Sequence, residues 1–170
     1  MTVVASLLLA ALVQSGTLHF TAPPAWNPRP STSPMRVAEF VVPRAAGDPE
    51  DAETIIYFFG GSGGGIDANI ERWVGQFQTE SGGPVPAPKR TTSANGPLTI
   101  TAIDVSGTYV AQVRPGSAER FNKPNFRMWA GVVETPKGPY FVKLTGPVRT
   151  VTQALTNDDF DSFLKSLRFE

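Results

Sequence analysis

Hydrophobic residues along this chain change their spacing several times, and each change predicts an element. Thr54-Ile55-Ile56-Tyr57-Phe58-Phe59 is apolar on both faces, the pattern of a central, covered strand. After the glycine-rich run 60–65 the spacing lengthens. Ile66, Ile70, Trp73, Val74 and Phe77 fall at i, i+4, i+7, i+8 and i+11, one face of a helix with Asp67 as its expected N-cap. Leu18 to Ala22 alternates briefly as a first strand and runs into the stiff segment Pro23 to Pro30, and Met35 to Val42 predicts a second strand. Leu98 to Val105 and Thr108 to Val113 read as two strands around Ser106-Gly107, and Arg127 to Glu134 as another. Its hairpin partner is Tyr140 to Leu144, across the turn Thr135-Pro136-Lys137-Gly138. Pro147 suits a first helical turn. Val148, Val151 and Leu155 share a face, and Phe160, Phe163, Leu164 and Leu167 continue after a break expected at Thr156 to Asp159. Ser81 to Pro97 is too rich in Pro, Gly and Ser to pack and predicts a long surface loop. Hairpins among the strands, with helices between and after them, predict an α+β fold: a mainly antiparallel sheet with helices packed on it.

Composition narrows the class. The 170 residues suit one hydrophobic core, and 41% hydrophobic with 11 Phe excludes a disordered chain. Lys plus Arg and Asp plus Glu both number 15, so no global field draws the chain to nucleic acid or anionic lipid. Cysteine is absent, which removes disulfides, thiolate nucleophiles and Cys-ligated metal together. Val3 to Val13 is apolar but shorter than the about 20 residues a bilayer span needs, so it predicts a signal-peptide core and no stable membrane anchor. Cleavage after Ser15 is expected, leaving residues 16–170 as a single exported domain, periplasmic or extracellular.

Candidate chemistry is sparse. Gly60 to Gly65, between a strand and a helix, sits where phosphate loops sit, but it lacks the Gly-Lys-Ser/Thr ending, and Ile66 occupies the third glycine of the dinucleotide spacing. A close-passing connection is the simpler expectation. Asp48, Glu50, Asp51 and Glu53 are close enough in sequence to hold a hard cation, yet they lack the EF-hand spacing, so a solvated loop is expected and no metal site is assigned. Arg114, Arg120, Phe121, Lys123 and Arg127 bring positive charge and aromatic rings together and form the candidate ligand- or partner-binding loop. Trp26, Trp73 and Trp129 are expected in the core rather than in a pocket. The single histidine, His19, and the absence of a Gly-x-Ser-x-Gly elbow leave no catalytic residue to name, and no cofactor is expected.

The opening Phe20-Thr21-Ala22-Pro23-Pro24-Ala25-Trp26-Asn27-Pro28, the helix stripe Ile66 to Phe77, the hairpin Val132 to Leu144 and the ending Phe163-Leu164-Lys165-Ser166-Leu167 together resemble PsbP-like domains and their Mog-type relatives. That resemblance implies an α/β/α sandwich and a binding or scaffolding role without chemistry. With His19 as the lone histidine, metal binding of the kind some members show does not carry over. The expected function is a non-catalytic exported accessory domain that contacts another protein. The alternatives are a carrier holding a small apolar or anionic ligand between helix and sheet, and a hydrolase using paired carboxylates.

Overall fold

The computed structural model describes residues 16–61 and 63–170, and the expected signal peptide, Met1 to Ser15, lies outside the described residues. The described chain runs β1 (Leu18–His19), β2 (Asn27–Arg29), β3 (Arg36–Val42), β4 (Ala52–Phe58), α1 (Ile66–Val74), β5 (Phe77–Gln78) and β6 (Arg90–Asn95). It continues with β7 (Leu98–Tyr109), β8 (Lys123–Glu134), β9 (Tyr140–Pro147), α2 (Val148–Thr156), α3 (Asp158–Ser166) and β10 (Arg168–Phe169). All recorded pairings are antiparallel, in the order β2-β3-β4-β9-β8-β7-β5, with β6 also on β7. A separate ladder joins β1 to β10 and brings Thr17 to Glu170 through two backbone hydrogen bonds. The expected α+β class, an antiparallel sheet with helices packed on it, is what the chain forms.

Period-two alternation divides the long strands between two cores. Tyr140, Val142 and Leu144 of β9 face Val151, Phe160 and Phe163 of α2 and α3. Phe141, with Met128, Ala130 and Val132 of β8, faces Ile70 and Trp73 of α1. α1 packs over β7, β8 and Phe141 of β9, so the β4–β3 side and the Lys143 part of β9 are left to side chains of the sheet itself.

Four expectations are corrected. α1 stops at Val74 because Gly75 ends it, and Phe77 is buried in β5 instead. Its N-cap is Gly65 at φ 81°, while Asp67 lies in the first turn and pairs with Arg90 at 2.7 Å. Ser106-Gly107 does not separate two strands: β7 runs through it with a bulge between Gly107 and Tyr109. Within the expected loop 81–97, Arg90 to Asn95 form an exposed edge strand on β7, made by pairing rather than by burial.

Candidate functional site

The predicted binding loop does not come together as a unit. Arg127 points to the α2 side of the sheet, where it grips Asp104 and donates to Thr152 Oγ1. Arg120 is exposed and donates to the Val110 carbonyl, and Arg114 is exposed in a turn. Lys123 and Phe121 do converge: Lys123 pairs with Glu50 at 2.7 Å and lies 4.9 Å from the Phe121 ring centre, and Phe121 stacks on Tyr109. The four loop acids diverge to separate partners, Asp48 to Thr150, Glu50 to Lys123, Asp51 to Arg44 and Glu53 to Arg29. Among the described residues no group of three or more His, Asp or Glu is placed to hold a metal ion. The glycine loop is filled by its own chain. Asn69 donates to the Gly63 and Gly65 carbonyls, and Gly138 passes so close that a Cβ there would land on the Gly61 carbonyl oxygen. Trp26 and Trp129 sit in the α2–α3 core and Trp73 in the α1 core, so the three do not share a pocket. His19 is exposed on β1 beside Thr17.

The structure instead assembles charge on the part of the sheet that α1 leaves uncovered. Alternation puts Glu53 and Tyr57 of β4, Glu39 of β3 and Lys143 of β9 on this face, and Arg29 joins them by pairing opposite Glu39. Glu39 is 1% exposed yet fully served: Arg29 and Arg36 donate to Oε2 at 3.0 and 3.1 Å, and the Thr32 N–H and hydroxyl donate to Oε1. Burial works to raise its pKa, but the Thr32 hydrogen bonds and the two guanidinium groups outweigh it and hold the carboxyl below its ordinary range. Arg29 also bridges to Glu53, so the nearest thing to paired carboxylates shares an arginine rather than a proton.

Lys143 is the exception. It stands mid-strand between Ile55 and Ala130 and is half-buried; its ammonium donates to Gln76 Oε1 at 3.2 Å. Among the described residues no carboxylate forms an ion pair with it. Burial, followed by the nearby positive charge of Arg72 with Arg36 adding to it, pulls its pKa down to about 8 against the opposing pull of Glu53. Tyr57 lies under Arg36 at 5.6 Å, and burial pushes its phenol up; burial with Glu53 and Tyr57 nearby does the same to Tyr109. Gln76 and Arg72 thus meet Lys143 from the α1 side, Arg36 and Glu53 act on it from β3 and β4, and Tyr109 feels the same Glu53. A second feature, a groove of about 200 Å³ on the opposite face near Trp26 and Phe160, has Arg44 on its wall, already paired with Asp51.

Of the sequence candidates, only Phe121 and Lys123 come together, and they do so at Tyr109. Lys143 and Glu39 were missed, although Lys143 is the lone charge of β9 and Glu39 interrupts the apolar run Val37 to Val42. No family model matches the chain, and no curated protein matches it.

Proposed function

We propose that the chain is a binding domain, without chemistry of the hydrolytic kind, that holds a small carboxylate-bearing ligand on the sheet beside α1. The observation that carries this is Lys143, a half-buried lysine whose ammonium is served by one neutral amide oxygen and, among the described residues, by no carboxylate. A charge in that position is costly without an anionic partner, so an arriving anion relieves an existing cost instead of creating a new one. Around it Arg29, Arg36, Arg72 and Lys143 oppose Glu39 and Glu53, four cations against two anions, an excess of two. A dicarboxylate matches that excess. Helices on both faces of the sheet support the PsbP-like resemblance, and export rests on the run Val3 to Val13.

The partner-protein reading draws on a different observation. Met35, Val37 and Phe59 are 52%, 46% and 38% exposed at neighbouring ends of β3 and β4, the large hydrophobics most open to solvent among the described residues. Such a patch fits a protein contact.

Titration of the protein with succinate, followed by amide NMR, tests the leading proposal, with uncharged succinamide as control. Saturable shifts centred on β9, β4 and Gln76 are expected with succinate alone. Lys143→Met is expected to weaken binding about tenfold, about 1.4 kcal/mol. Equal responses to both compounds, or binding undiminished in the variant, would remove the site.

A further inference from the structure

We propose that Lys143 captures its ligand covalently, its amine condensing with the carbonyl of a small oxo-acid to form an imine, so that the ligand class is a carboxylate carrying an adjacent aldehyde or ketone. This rests on the binding reading above, because the carboxylate is the part that the neighbouring guanidinium groups would hold while the carbonyl meets the amine.

Position and surroundings both favour a nucleophilic amine. Pairing of β9 with β4 and β8 fixes the Lys143 backbone opposite Ile55 and Ala130, so the side chain rises from the rigid middle of the sheet rather than from a loop. A lysine becomes a nucleophile when desolvated or set beside another cation, and this one has both: partial burial, and Arg72 with Arg36 close enough for their charges to act on it. With its pKa at about 8, roughly one molecule in ten carries the neutral amine at pH 7, against roughly one in 2,500 for an ordinary lysine. The other four lysines lack this setting. Lys123 is paired with Glu50 and Lys165 with Asp161, while Lys89 and Lys137 are exposed.

The step balances without a further reactant. The Lys143 nitrogen attacks the carbonyl carbon and a C–N bond forms; the carbinolamine then loses its oxygen as water, which carries away both hydrogens of the amine. Nothing is oxidised or reduced, and water reverses the reaction.

The test uses the full chain, glyoxylate as probe and borohydride to reduce any imine to a stable secondary amine, with peptide mapping by mass spectrometry. One adduct on Lys143, forming faster than on the other lysines and with a rate that rises between pH 6 and 8, is expected. Lys143→Arg removes the nucleophile and should lose the adduct, while Lys89→Arg, at an exposed lysine away from the site, should keep it; succinate titration of the parent reads binding independently. Adducts spread evenly over the exposed lysines, or no adduct on Lys143 while succinate still binds, would overturn covalent capture and leave the binding reading standing. Failure of both succinate binding and adduct formation would overturn the two together.

Discussion

Glu39 and Lys143 are both charged residues on one sheet face, and they differ in compensation. Glu39 has four donors and Lys143 has one acceptor, so the first is built into the fold and the second is a cost the fold carries. The sign of that cost sets a prediction. The folded pKa of Lys143, about 8, lies below the ordinary lysine value, so between there and roughly pH 10 the unfolded chain binds more protons than the folded one. Stability from this group therefore rises with pH across that window, and below it the penalty is present in full. Lys143→Met should be more stable than the parent at pH 7 by about 1–2 kcal/mol, a figure discounted for the partial exposure of the Lys143 side chain. In urea melts the gap should close as pH approaches 10. A gap that stays constant with pH would assign the gain to packing and deny Lys143 its desolvated charge.

At the scale of elements, the start of α2 shows how loop acids are used. Pro147 at the N-cap has no side-chain acceptor, so the first turn takes one from elsewhere. Asp48 Oδ2 accepts from the Thr150 N–H at 2.8 Å and its hydroxyl at 2.6 Å, and Thr150 Oγ1 accepts from the Ala45 N–H at 3.0 Å. The β3–β4 loop is thereby fastened to a helix about 100 positions later. Asp48→Ala should cost about 1–2 kcal/mol in urea melts at pH 7, in line with the loss of a helix cap. Amide exchange should quicken first at Ala45 and Thr150. An unchanged midpoint would mean that solvent serves the helix end equally well.

The same scale shows what the sequence made legible. Elements that bury an apolar face were readable: β4, the β8–β9 hairpin, the α1 stripe and the break between α2 and α3 at Asn157 all follow the spacing of hydrophobic residues. β6 was not, because Arg90-Thr91-Thr92-Ser93-Ala94-Asn95 buries almost nothing and is a strand only because β7 offers it an edge. Ser106-Gly107 looked like a turn because local composition is blind to a bulge that keeps a long strand running. The site divides in the same way. A lone Lys143 in Tyr140 to Leu144 and a lone Glu39 in Val37 to Val42 stand out against their neighbours, whereas Arg72 and Gln76 look like any solvated residues around a helix end. Their meeting depends on strand order, which no local pattern carries.

For the whole molecule, the decisive feature is that two cores share one sheet. Met128, Ala130 and Val132 of β8 fill the α1 side while Val133, one residue on, fills the other; in β9, Phe141 and Val142 divide likewise. Neither strand can leave one core without unpacking the other, so the layers should unfold together even though, among the described residues, α1 contributes to one core and α2 and α3 to the other. The tryptophans are placed to test this, with Trp73 in the α1 core and Trp26 and Trp129 on the α2–α3 side. A Trp73→Phe variant reports only the second core, and a Trp26→Phe, Trp129→Phe double variant only the first. Within each variant, urea transitions followed by fluorescence and by far-ultraviolet circular dichroism should coincide. Adding Met128→Ala, which opens a cavity on the α1 side alone, should lower the unfolding free energy read by both reporters equally, by about 2–4 kcal/mol. A reporter on the α2–α3 side that ignored Met128→Ala would show that β8 and β9 can hold one layer after losing the other, and the sheet would then be a partition between two separable units rather than the element that couples them.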